Sequence, residues 1–160
     1  MIIFTFLFPP ATLIHTMEKK NKTSVLLNRI IFVLALIGIA IAVYVTQSFL
    51  RKTGIVCLTN GCELVRKNPA SYILGIPVPA VGLVGYSFIA ILAFLRTAST
   101  DKRLLYGILG MATFGASFVS WFTYTELFVI KGVCTWCAIS TVNMLVIFLL
   151  SWKSYFLTKK

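Results

Sequence analysis

Ile30-Ile-Phe-Val-Leu-Ala-Leu-Ile-Gly-Ile-Ala-Ile-Ala-Val-Tyr-Val-Thr-Gln-Ser-Phe-Leu50 runs without a charge between Arg29 and Arg51. As a helix rising about 1.5 Å per residue, it covers roughly the 30 Å hydrocarbon core of a bilayer. Three further runs repeat the pattern. One extends from about Tyr72 to Leu95, closed by Arg96; one lies between Arg103 and Glu126; the last lies between Lys131 and Lys153. The expected fold is an all-α integral membrane protein. It is a four-helix bundle, with helices at about 30–50, 72–95, 104–125 and 132–152, and a cysteine-bearing outer loop between the first two.

Composition agrees. Of 160 residues, 59% are hydrophobic and 12% charged, with mean hydropathy +0.94. A soluble domain of this size cannot hide that much apolar surface. The net charge of +11 would suggest nucleic acid in a soluble protein. Here the basic residues sit between apolar blocks, so membrane topology explains them and no nucleic-acid partner is expected. Residues 28–152 are read as the membrane domain, flanked by tails at 1–27 and 153–160. Residues 1–16 are apolar, lack a basic start and are broken by Pro9-Pro10. They are read as a start assigned too early, ahead of Met17, with a short surface-lying tail as the rival.

Four spans put both termini on one side. Lys19, Lys20, Lys22, Arg29, Arg96, Lys102, Arg103, Lys153, Lys159 and Lys160 share that side. Arg51, Lys52, Arg66, Lys67 and Lys131 lie on the other. By the positive-inside rule the termini are cytoplasmic. The four cysteines then fall together on the opposite face, Cys57 and Cys62 in the first outer loop and Cys134 and Cys137 at the mouth of the fourth helix. On the periplasmic or extracellular side disulfides persist.

Cys134-Thr135-Trp136-Cys137 is a dithiol that opens and closes with little backbone movement. At a helix start, the positive end of the dipole stabilises the thiolate. Three readings compete. Cys57–Cys62 and Cys134–Cys137 are static bridges, four thiolates hold zinc, or the pairs are redox-active. A bridge across so short a loop removes little chain entropy. An oxidising compartment argues against a zinc site, and no metal is expected. The residues favour redox activity. A dithiol at a membrane surface needs an acceptor that lives in the bilayer, and quinones do. No Gly-rich dinucleotide fingerprint is present, and the single His15 leaves no histidine pair for haem. Two pairs read as a relay, one on a mobile loop that meets a soluble partner and one fixed beside the quinone.

In the outer loop, Thr53-Gly54 and Thr59-Asn60-Gly61 are turn signals, and Asn60 is placed to cap a short helical turn. Ile55, Val56, Leu58, Leu64 and Val65 suit packing of the loop onto the bundle. Gly75-Ile76-Pro77-Val78-Pro79 opens the second helix irregularly. Gly38 with Ala42, and Ala112, Ala116 and Ser120, are small residues that let helices approach closely. Trp121 and Trp152 fit an interfacial aromatic belt. Glu126 and Lys131 read as solvated interface charges. Arg66 and Lys67 read as a solvated loop, with contact to an acidic patch on the partner as the rival. Phe114, Phe118 and Phe122 read as packing or lipid contact, with quinone binding as the minority reading.

Several stretches together resemble the bacterial vitamin K epoxide reductase homologues. They are Cys57-x4-Cys62, Ser71-Tyr72-Ile73-Leu74-Gly75-Ile76-Pro77-Val78-Pro79, Gly82-Leu83-x-Gly85-Tyr86 and Cys134-Thr135-Trp136-Cys137. The resemblance covers about Asn28 to Ser151. It implies a four-helix bundle that oxidises a periplasmic thioredoxin-fold (DsbA-like) protein and reduces a quinone, menaquinone or ubiquinone. On that pattern Cys57 takes electrons from the partner, Cys62 relays them to Cys134, and Cys137 faces the quinone. Trp136, Thr141 and Ser71 are further candidate quinone contacts; the competing readings are that Thr141 and Ser71 satisfy local backbone carbonyls, which is the favoured one, and that Trp136 shapes the exposure of the dithiol. Asn68 stands where many members have Ser or Thr, and Thr141 where the human enzyme has Tyr. Many bacterial relatives carry a fused thioredoxin-like domain. Only nine residues follow Ser151 here, so the partner is expected to be a separate chain.

The expected function is therefore a thiol:quinone oxidoreductase of the bacterial inner membrane that supports disulfide formation. The alternatives are a DsbB-like quinone reductase, whose helix-mouth pair lies in the first outer loop, and a non-catalytic four-helix protein with structural bridges.

Overall fold

A computed structural model describes residues 11–51, 54, 56–57, 61–99 and 101–159, with side-chain surroundings from Lys22 onward. The Asn60 cap and the packing of Ile55 and Leu58 lie outside the described residues. The elements are α1 (Ala11–Arg51), α2 (Gly61–Lys67), β1 (Tyr72–Ile73), β2 (Ile76–Pro77), α3 (Val78–Ala98), α4 (Lys102–Thr125) and α5 (Thr135–Lys159). Four helical stretches are long and apolar enough to span a membrane: Lys22–Arg51, Val78–Ala98, Lys102–Ile130 and Thr135–Lys159.

The bundle encloses many small and medium side chains and exposes many large apolar ones. Ile31, Ala35, Ile89, Ala93, Ile108, Ala112 and Ile147 are fully enclosed. Val33, Leu36, Phe88, Phe94, Phe114 and Leu149 are exposed, as lipid-facing side chains are in a bilayer. A Cβ at Gly38 would overlap the Tyr86 ring, so the missing side chain lets α1 and α3 close on that ring. Gly115 of α4 likewise receives the Met144 side chain of α5. The other small-residue stripe is only partly an interface: Ala112 is buried, but Ser120 is exposed and bonds back to the Ala116 carbonyl.

Polar side chains tie the helices where lipid offers no partner. Asn28 Nδ2 donates to the Ala93 carbonyl (2.8 Å), and Asn143 Nδ2 to the Leu34 carbonyl (3.0 Å). The Arg96 guanidinium donates to Ser24 (2.9 Å) and Ser154 (3.2 Å), joining α1, α3 and α5 at one end. Such bonds contribute about 0.6–2 kcal/mol each in membranes.

Two local features depart from uninterrupted helices. The helix expected from about Tyr72 begins at Val78, because Tyr72–Pro77 folds as a hairpin with Tyr72 opposite Pro77 and Ile73 opposite Ile76. Leu74 (φ 52°) and Gly75 (φ 83°) form its two-residue turn. Ile76 precedes a proline and is steered from the helical region, and Pro77 has no amide hydrogen to continue a ladder. At the same end of the bundle, α4 continues as one π-helical turn, Glu126–Ile130, stopped by Lys131 in the left-handed region (φ 54°). α5 runs past Trp152 to Lys159, where Arg96 holds Ser154.

Candidate functional site

The four cysteines gather at one end of the bundle. Cys57 and Cys62 form a disulfide with Cα atoms 6.4 Å apart, while Cys134 and Cys137 are free thiols. Cys62 and Cys134 are each 1% exposed, and their sulfurs lie 3.3 Å apart. Gly61 makes this approach possible. A Cβ there would run into the Val133 carbonyl, so only glycine lets α2 lie against the backbone just ahead of Cys134. Val65 and Cys62 anchor α2 in a core with Val45, Phe49, Val78 and Phe122.

The rest of the loop is held by its own polar groups. The Arg66 guanidinium grips the Glu63 carboxylate at 2.7 and 3.0 Å, and this keeps the Glu63 carboxyl below its usual range. The Arg66 side chain is 11% exposed, which corrects its reading as solvated; Lys67, at 75%, is solvated. Asn68 Oδ1 accepts from the Ala70 amide (2.9 Å) and caps the 3-10 turn Pro69–Ser71. Trp136 Nε1 donates to the Val56 carbonyl (2.9 Å), next to Cys57, and its ring lies 5.2 Å from that of Tyr44.

Cys134 precedes α5 and Cys137 sits in its first turn, where the Ala138 amide donates to the Cys134 carbonyl (2.9 Å). The Cys137 thiol beside it holds the Cys134 thiol down at about 7, against the burial that pushes it up. Cys137 opens on an apolar cleft of about 800 Å³ of space, part of it open to the surroundings. Ligand sites for small cofactors have this apolar character. Trp136, Thr141, Tyr86, Phe114, Phe118 and Phe122 are among the residues that line it. The phenylalanine repeat on α4 thus faces a cavity rather than only lipid. Cys134 and Ser71 do not line the cleft. Ser71 is fully buried, and its hydroxyl has no hydrogen-bond partner among the described residues. Thr141 donates to the Cys137 carbonyl (2.9 Å) and meets Thr123 (3.3 Å).

Two residues of this site escape sequence reasoning. Tyr86 lines the cleft and donates its hydroxyl to the Ser140 carbonyl (2.8 Å). Glu126, read as a solvated interface charge, is 2% exposed, and a carboxylate oxygen lies within 4.8 Å of both the Cys134 and Cys137 sulfurs. A charge eight residues before the dithiol looks interfacial in a linear chain, and the π turn is what turns it inward. Glu126, Cys134 and Cys137 give three possible donors where structural zinc takes four. The other close trio, Cys57, Cys62 and Cys134, includes two sulfurs bonded to each other.

A disulfide in van der Waals contact with the buried Cys134, and Cys137 half-buried beside it, lies at the end of a lipid-facing bundle, an arrangement that suits a membrane thiol–disulfide oxidoreductase. The chain belongs to the vitamin K epoxide reductase family, whose pattern matches residues 29–152. Members of this family generally use quinones and are linked to thioredoxin-like partners. Comparison with curated proteins found no match.

Proposed function

We propose that this protein is a thiol:quinone oxidoreductase that oxidises a separate thioredoxin-fold protein outside the cytoplasm. The observation that carries the reading is the 3.3 Å separation of Cys62 and Cys134, with Cys137 opening on the apolar cleft. Thiol–disulfide exchange needs sulfur to meet sulfur, and these two already touch.

The steps follow from the chain's own residues. A partner thiolate attacks Cys57, the Cys57–Cys62 bond breaks, and Cys62 leaves as a thiolate. The partner's second thiol then takes the first sulfur, which releases the oxidised partner and a reduced Cys57. Cys62 attacks Cys134 of an oxidised Cys134–Cys137 pair, and Cys137 leaves. Cys57 attacks Cys62 and frees Cys134. This restores Cys57–Cys62 and leaves Cys134 and Cys137 reduced, the arrangement of the described structure. A quinone in the cleft would accept two electrons and two protons as Cys134 and Cys137 close. Cys137 and Trp136, with Thr141 at the cleft wall, would hold it. Trp136, bonded to the Val56 carbonyl, ties the loop to the cleft. Ser71, off the cleft, is assigned no contact there.

The free thiols of Cys134 and Cys137 support this reading over one with two static bridges. The test uses purified protein, a reduced thioredoxin-fold protein and a soluble quinone. One quinol should form per partner disulfide. A Cys137→Ala variant with full turnover would sink the proposal.

A further inference from the structure

We propose that Glu126 is the proton acceptor for the Cys134–Cys137 dithiol as it is oxidised, an inference that rests on the thiol:quinone reading. A buried carboxyl is costly in a membrane-spanning segment and is retained where it has work to do. Glu126 is 2% exposed, and its Oε1 has no hydrogen-bond partner among the described residues. No described lysine or arginine forms a salt bridge with it; among the described residues the ion pairs are those of Glu63 with Arg66 and Lys67. The titratable groups that face it are the thiols of Cys137 and Cys134, both within 4.8 Å of the carboxylate.

The backbone fixes this aim independently. Glu126 opens the π turn, and its carbonyl accepts from the amides of Lys131 and Gly132 (3.2 Å for Gly132). The same turn delivers the chain to Cys134, so the carboxyl and the dithiol are positioned by one short loop. Single π turns inside helices are often found at functional sites.

The chemistry balances. Closing the pair converts two thiols to one S–S bond and releases two electrons and two protons. The electrons go to the quinone of the proposed function. Glu126 takes the proton of the Cys137 thiol and returns it to the reduced acceptor; the second proton comes from Cys134. The carboxylate is then ready for the next cycle.

The test compares wild type with Glu126→Gln, which keeps size and removes proton acceptance, and Glu126→Asp, which keeps it. In quinone-free protein, Glu126→Gln removes a negative charge beside Cys137, so alkylation of that thiol at neutral pH should become several-fold faster. Quinone-driven turnover should instead fall about 100-fold, with its pH profile moved, and Glu126→Asp should restore most of it. Opposite signs separate proton transfer from a packing role, which would depress both readouts. Wild-type turnover and pH profile in Glu126→Gln, or a joint fall in alkylation and turnover, would overturn the inference. If the glutamine variant does not fold, a hydrophobic carbodiimide on folded wild type replaces it. Modification of Glu126 must then stop quinone turnover while Cys57–Cys62 exchange with the partner continues; unchanged turnover overturns the inference. Faster alkylation in Glu126→Gln than in wild type, together with no quinone reduction by wild type, would defeat the proposed function alone.

Discussion

Cys134 carries the clearest chemical asymmetry of the site. Its thiol ordinarily titrates near 8.5, and contact with Cys137 brings it to about 7. A lowered thiol pKa means that thiolate is populated above about pH 7 and lost below it. Cys134 is therefore both a better attacking group and a better leaving group near neutrality. In quinone-free protein, thiolate ultraviolet absorbance should show a first half-titration near pH 7. Cys137→Ala removes the largest cause, so that step should move upward in pH. A half-titration that stays put in the variant would mean Cys137 is not the cause. Gly61 is the other sensitive position. Gly61→Ala puts a methyl into the Val133 carbonyl, so α2 must shift and Cys62 must leave Cys134. Misplacement by about 1 Å costs up to about 100-fold. Partner-driven turnover should fall by about that factor, while quinone reduction driven by a small dithiol, which bypasses Cys62, stays near wild type. Equal loss of both rates would contradict this.

The spanning helices were legible from hydropathy because each apolar run is closed by a charge, as Ile30–Leu50 is by Arg29 and Arg51. Both cysteine pairs were legible from spacing. Their mutual contact was not, since Gly61 against Val133 joins residues far apart in the chain and depends on an absent side chain. The hairpin Tyr72–Pro77 stayed hidden because its apolar residues continue into α3, and hydropathy does not distinguish strand from helix over so short a stretch. Glu126 stayed hidden because a π turn has no compositional signal. The packing of α1 on α3 gives a further prediction. Gly38→Val would drive two methyls toward the Tyr86 ring, which itself lines the cleft. Overpacking costs about 1–3 kcal/mol. The thermal unfolding midpoint in detergent should fall, and the KM for quinone should rise as Tyr86 moves; an unchanged midpoint would show that the helices separate freely.

The bundle as a whole makes one decision for all four cysteines. Because Cys57 is bonded to Cys62, Cys62 touches Cys134, and Cys137 sits one turn further on, the pairs cannot lie on different sides of the membrane. The far end carries the Arg96 network, Lys102, Arg103, Lys153 and Lys159. The sequence assigns ten of the fifteen lysines and arginines to the side of the termini, and from the positive-inside rule we propose that this side is cytoplasmic. The hairpin tip reports the opposite face, since Leu74 is 98% exposed at the cysteine end. In a background with the native cysteines replaced by serine, a membrane-impermeant maleimide should label Leu74→Cys in intact cells. It should label Lys159→Cys only after the membrane is opened. The reverse pattern would put both cysteine pairs in a reducing compartment, where disulfides do not persist. Oxidation of a partner outside the cytoplasm would then be impossible, whatever the sulfur geometry allows.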